Sequence, residues 1–387
     1  MAKGAGSAFG RLLLNWGVLV AVVATLLFVR QHANAVNQAP LPPLRVQLSV
    51  ATTQEWAHFP SYTGSVPVLV YHGINDSGKN YATTPQLFAE QMMALKTAGF
   101  HAISMAQYAA WVHGDRRGLP SKPILLTFDD GRRDAYRAAN NLLAHYGFHG
   151  TVFTFGAWPV DNPGFSLTWN ELQRMQRSPI WSVQEHGGRG HEYVLINKAG
   201  QKGAVDANLR YVRKPDGGQM ETFAQFEKRF TTDITWGQKQ FAGHIPGYRP
   251  LAFAVPYGDY GQEQTNDPRI RAYTLPWLDQ HFSVVFGGDY LDRVPAHRYA
   301  IPGRFSPKLA YRITMQQTMQ LPALYCRLRD WVTQVPIWRE YQCMHLGLAD
   351  WGPNLGQGRV LYHWHPPELK PPTGPRGPSQ AAPPRND

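Results

Sequence analysis

Seven short apolar runs, most of them followed by a segment of helical periodicity, constrain this 387-residue chain more than any other feature. The runs fall at 67–72, 101–104, 123–128, 150–155, 181–186, 251–256 and 282–286, and helical spacing is read over 84–98, 106–113, 134–146, 168–176 and 221–241. Such alternation is the pattern of βα units wound around a parallel sheet. The expectation is an α/β fold, a distorted (β/α)7-type barrel with an N-terminal transmembrane helix and a helical C-terminal extension. Barrels of this kind carry their chemistry where strands end and loops begin, at the C-terminal face. His72, Asp129, Asp130, His186 and Tyr257 all follow apolar runs directly.

The ends of the chain read differently. Residues 12–29 form an apolar run long enough to cross a bilayer, preceded by Lys3 and Arg11. A retained anchor is expected, and the alternative is a signal segment cleaved near Ala33-Asn34-Ala35. Either way the remainder is expected outside the cytoplasm. The organisation read from sequence is thus an anchor or signal segment at 1–35, a Pro-containing linker at 36–64, a barrel at 65–305, an extension at 306–365 and a disordered Pro- and Gly-rich tail at 366–387. Lys and Arg outnumber Asp and Glu by 38 to 27, a formal charge of +11, which favours anionic neighbours. No zinc-finger or aromatic RNA-binding signature accompanies those scattered basic residues, so nucleic acid is not an expected partner. Two cysteines, Cys326 and Cys343, exclude a cysteine-rich metal site. They are read either as one disulfide or as two small buried apolar residues.

Four stretches could carry chemistry. Thr127-Phe128-Asp129-Asp130-Gly131 ends an apolar strand in two adjacent carboxylates. Neighbours on a regular strand point to opposite faces, so both acids reach one site only if the chain turns, which Gly131 permits. The same residues also fit a helix N-cap. Asp134, at the start of the next helix, reads as a capping or pairing group. Glu185-His186-Gly187-Gly188-Arg189-Gly190-His191 carries two imidazoles that only a loop can bring together. Its glycines supply backbone freedom for that loop, and Glu185 reads as an ordinary surface acid, the alternative being a hydrogen-bond partner behind a ligating His. His72 ends the first strand, and Pro256-Tyr257-Gly258 opens a tight turn whose backbone N–H groups could stabilise an oxyanion.

Taken in order, Tyr71-His72, Thr127 to Gly131, His186 with His191, and Pro256-Tyr257-Gly258 resemble the NodB-type polysaccharide deacetylases, carbohydrate esterase family 4, over about residues 65 to 305. The pattern is similar to the branch that acts on poly-β-1,6-N-acetylglucosamine. That resemblance implies a hydrolase of linear amide bonds that releases acetate from an extracellular N-acetylated polysaccharide. It also implies a divalent cation, zinc being the ion expected, on Asp130, His186 and His191. Asp129 would be the base, His72 the acid and the Tyr257 backbone N–H an oxyanion donor. Three features depart from the family pattern. Four residues separate the two ligand histidines where many members have three, Arg249 is only a loose counterpart of the family's arginine, and Leu361-Tyr362-His363 offers a second candidate acid. Peptidoglycan or chitin-like chains are alternative substrates, and a non-catalytic carbohydrate-binding or assembly protein is the rival reading.

Overall fold

A computed structural model of the chain describes Thr25 and residues 40–61, 65–79, 81–215, 217–262, 265–287, 309–316 and 318–333. Its centre is one parallel sheet. The strands are β1 (Val68–Tyr71), β2 (His101–Ala102), β3 (Pro123–Phe128), β4 (Gly150–Phe155), β5 (Trp181–Gly187), β6 (Ala252–Ala254), β7 (Val284–Phe286), β8 (Leu309–Ala310) and β9 (Ile313–Thr314). They pair in the order β8-β7-β6-β5-β4-β3-β1-β9, with β2 alongside β3, and every pairing is parallel. The sheet is therefore of the α/β type expected from the alternating runs.

Two strands lie beyond the run at 282–286. Leu309–Ala310 pairs with β7 and Ile313–Thr314 with β1, so one short stretch of chain joins opposite ends of the sheet through Tyr311 and Arg312. Two intervening residues span at most about 11 Å. The sheet is accordingly curled until its two edges meet at Arg312, and it continues past the expected barrel boundary at residue 305.

Helices form where sequence supplies both periodicity and caps. They are α1 (Val50–Ala57), α2 (Pro85–Thr97), α3 (Met105–Val112), α4 (Arg133–Tyr146), α5 (Trp158–Asp161), α6 (Trp169–Arg177), α7 (Phe223–His244), α8 (Arg269–His281) and α9 (Leu321–Thr333). Reciprocal capping boxes start three of them, at Ser104 with Gln107, Thr168 with Glu171 and Thr222 with Gln225, each worth about 1 kcal/mol through its N-cap bond. Gly147, left-handed at φ 66°, ends α4. The proline inside α8, Pro276, explains why helical spacing did not announce that element.

Strand periodicity places the core and the site together. Val68, Leu125, Phe153, Ala252, Ala254, Val284, Phe286 and Ala310 form one buried apolar cluster within the curl of the sheet, whereas Leu69, Tyr71, Leu126, Phe128, Val183 and Val285 pack outward in a second cluster with the helices. Continuing the inward positions by steps of two reaches His72, Asp129, His186 and Arg312 at the C-terminal ends of their strands.

No helix among the described residues is long and apolar enough to cross a membrane. The expected span at 12–29 lies outside the described residues except for Thr25, as do the tail, His363 and Cys343. Cys326, on α9, is disulfide-bonded.

Candidate metal centre

The two aspartates face one point because the chain turns sharply between them. Asp130 and Gly131 both take left-handed backbone conformations, φ 67° and 55°. The turn is pinned by Asp129 N–H donating to the Tyr71 carbonyl at 2.8 Å and Gly131 N–H donating to the Phe153 carbonyl at 2.9 Å. A side chain at 131 would have its Cβ 2.0 Å from Thr154 Oγ1, so glycine is required by space as well as by φ. A left-handed aspartate costs on the order of 1 kcal/mol and persists where surrounding structure fixes it.

Asp130, His186 and His191 each offer one ligand atom, and those atoms lie within 4.8 Å of one another. Asp130 Oδ1 is 3.7 Å from His186 Nε2 and 3.6 Å from His191 Nε2. Ligands held at 2.0–2.2 Å around a tetrahedral ion stand about 3.3–3.6 Å apart, so the set is close to the size such an ion needs. Asp130 Oδ1 is moreover buried with no hydrogen-bond partner among the described residues. Leaving such an oxygen unsatisfied costs about 1–3 kcal/mol or more, and a cation at this point would satisfy it.

The imidazoles are in the right state to ligate. His186 Nδ1 stands 2.6 Å from the Ala254 carbonyl oxygen, which can only accept. The proton is thus on Nδ1, and Nε2 keeps its lone pair toward Asp130. Burial, partly offset by Asp129 and Asp130, pulls His186 down to about 4. Burial likewise lowers His191. Phe155 packs on both rings at centroid distances of 4.6 and 5.2 Å, and Trp158 meets His191 at 5.3 Å.

Asp129 sits beside this set, 3.8 Å from His186 Nε2. Both of its oxygens accept from Arg312, Nη1 to Oδ1 and Nη2 to Oδ2, each at 2.7 Å. Burial alone would raise this carboxyl, but Arg312, His186 and His72 together hold it below the ordinary carboxylate range. His72 stands near enough to act electrostatically on Asp129 and His191, and its buried Nδ1 has no partner among the described residues.

Tyr257 is the second left-handed non-glycine residue, φ 57°. Its ring stacks on His191 at 4.4 Å, with the hydroxyl 3.4 Å from His191 Nδ1, and burial raises that hydroxyl's pKa. The structure thus gathers Asp129, Asp130, His72, His186, His191 and Tyr257 at one end of the sheet.

Two residues depart from the sequence reading, and Asp134 follows it. Glu185 is not a surface acid: it is fully buried on the outer face, away from the ligand set, and burial raises its carboxyl well above the usual range despite the Tyr248 hydroxyl. Asp134 pairs with Arg132 at 2.5 Å and accepts from Asn75, as a pairing group should. Arg312 was missed altogether. Its only sequence signal is its place two residues after Ala310, in a stretch too short to announce a strand.

Residues 116–270 match the family described as polysaccharide deacetylase. The chain is 24% identical over 228 residues to the poly-beta-1,6-N-acetyl-D-glucosamine N-deacetylase of Escherichia coli strain K12, an alignment that takes in 54% of this chain and 32% of that protein's length. Among solved structures, a de-N-acetylase from Aggregatibacter actinomycetemcomitans superimposes with a TM-score of 0.56 at 20% identity, covering 68% of this chain and 99% of that one. The BpsB deacetylase domain from Bordetella bronchiseptica gives 0.51 at 21% identity, over 65% and 96%. At such identities the structural likeness is one of fold.

Proposed function

We propose that this chain, whose residues 116–270 match the polysaccharide deacetylase family, hydrolyses N-acetyl groups of an N-acetylglucosamine polymer with the help of a divalent cation, zinc being favoured. The observation that carries the reading is the convergence of Asp130, His186 and His191, within 4.8 Å, beside a separate carboxylate held by Arg312. Three protein ligands leave positions for water and substrate, which is the arrangement of a catalytic site, not a structural one.

When bound, the cation supplies polarisation of the acetyl oxygen and a water of lowered pKa. The chain's residues do the remaining work. Asp129, kept ionised by Arg312, accepts the proton of the attacking water. His72, near enough to act electrostatically on Asp129 and His191, is assigned to deliver a proton to the departing amine. The Tyr257 backbone N–H is assigned to the developing oxyanion, a donor worth about 3 kcal/mol when correctly aimed. The apolar wall of Phe155 and Trp158 limits water around the reacting groups. Acetate and a glucosamine unit are the products.

The β-1,6-linked polymer is the favoured substrate, supported by the likeness to the Escherichia coli enzyme. Export by the N-terminal segment is part of the same proposal, and the disulfide at Cys326 supports an oxidising compartment. The test is acetate release by the full-length protein from β-1,6-linked, β-1,4-linked and muropeptide N-acetylated oligomers, before and after chelation. Preference for the first, loss with chelator and recovery with zinc are expected. Binding of all three without acetate release would point instead to a carbohydrate-binding protein on this fold.

A further inference from the structure

We infer that Asp233, on α7, is a positioning residue that shapes the 187–190 loop and thereby sets His191 for metal binding; the inference rests on the metal-site reading above. Asp233 accepts from three successive backbone N–H groups of that loop. Gly188 N–H donates to Oδ2 at 2.9 Å, Arg189 N–H to Oδ1 at 2.9 Å and Gly190 N–H to Oδ2 at 3.3 Å. Consecutive N–H groups converging on one point form a concavity of the kind that binds anions. Here the protein fills it with its own carboxylate.

The two glycines are explained by this contact. Neither Gly188 nor Gly190 has positive φ; only Gly187 does, at 122°. What a side chain at 188 would meet is Asp233, with its Cβ 2.3 Å from the Asp233 main-chain oxygen and 2.9 Å from Oδ1. A Cβ at 190 would stand 3.3 Å from Oδ2. One turn along α7, Gly237 lets the helix backbone approach the loop, its own Cβ position lying 3.0 Å from the Gly187 oxygen and the Gly188 Cα. From the other side, Gly156 and Ala157 N–H donate to the Gly187 and Gly188 carbonyls at 3.0 Å each.

The two histidine ligands therefore depend on different supports. His186 is fixed by β5 and by the Ala254 carbonyl. His191 leaves the sheet, and its backbone follows directly from the loop that Asp233 holds. Loss of the carboxylate should release His191 while His186 stays in place.

The experiment is a zinc titration of the full-length protein against a competing chelator, for wild type, Asp233→Asn, Asp233→Ala and Gly190→Ala. Asparagine keeps one acceptor oxygen but turns an N–H toward N–H donors. The expected result is zinc affinity weakened about 10- to 100-fold in both Asp233 variants, least in Asp233→Asn. At saturating zinc the acetate-release kcat should recover to within a few-fold of wild type. Gly190→Ala, a milder displacement of the same loop, should weaken zinc binding as well, and combining it with Asp233→Asn should cost less than the sum of the two because both act through one loop. Unchanged zinc affinity in the Asp233 variants would overturn the inference and leave the deacetylase reading intact. Weakened zinc binding without acetate release even in wild type would support the inference while removing that reading.

Discussion

Arg312 holds both oxygens of Asp129 at 2.7 Å from the point where the two edges of the sheet meet. Its guanidinium rests against the paired rings of Phe153 and Phe286, 5.7 Å from each centroid, and its Nε donates to the Gly287 carbonyl at 3.4 Å. The residue that links the two edges through its backbone thus also keeps Asp129, the proposed base, ionised through its side chain. The consequences can be measured.

Replacing Arg312 by Met leaves a buried carboxylate without its partner, a defect of about 3–5 kcal/mol. Burial then prevails, so Asp129 keeps its proton to higher pH. The acid limb of the kcat/KM profile for acetate release is expected to move upward in pH, with activity at neutral pH falling about 100-fold or more. Arg312→Lys should retain part of the shift in its favour, since the charge remains but the two-point contact does not. A profile that does not move would remove Arg312 from the account of the base.

Asp130→Ala, His186→Ala and His191→Ala should each reduce bound zinc well below one equivalent, measured by elemental analysis after dialysis. Asp129→Asn should keep the metal and lose about 100-fold or more in kcat. Retention of full zinc by all three Ala variants would place the ion elsewhere.

The metal-free protein should lose stability in mildly acidic solution. His186 titrates near 4 when folded, against about 6.5 in the unfolded chain, and His191 is lowered in the same direction. Between those values the unfolded state binds more protons, so stability rises with pH there. The contribution is present above about 6.5 and is lost as pH falls toward 4. Thermal unfolding of chelator-treated protein across that window provides the check, and a Tm that climbs on acidification would contradict it.

Gly131→Ala should be among the more damaging single-atom additions, because its Cβ would lie 2.0 Å from Thr154 Oγ1 at a φ of 55°. Combining it with Thr154→Ala removes the hydroxyl contact but leaves the Cβ of residue 154 at 2.5 Å, together with the left-handed penalty of about 1–2 kcal/mol. Partial recovery of Tm in the double variant relative to Gly131→Ala is expected.

Much of the site was legible because strands alternate. His72, Asp129 and His186 are inward positions at the ends of apolar runs, and position alone suggested them. Asp130 was legible only as a puzzle, since neighbours on a strand diverge. The left-handed turn that solves it falls on Asp130 itself as well as on Gly131. The glycines around Arg189 announced a loop but not its reason, which is the approach of α7 through Asp233, a residue that in sequence is one polar position in a helical pattern. Arg312 was hidden because β8 and β9 are two residues each and their meaning is their pairing with opposite ends of the sheet. Helix α1 is short, and α8 carries an internal proline, so neither gave a strong periodic signal.

The most direct measurement is an anomalous difference map at the zinc absorption edge from crystals of the purified protein. The account predicts one strong peak about 2.0–2.2 Å from Asp130 Oδ1, His186 Nε2 and His191 Nε2, with Asp129 next to it and still paired to Arg312. A zinc-loaded crystal with no density among those three atoms, or with the ion bound by other side chains, would contradict it.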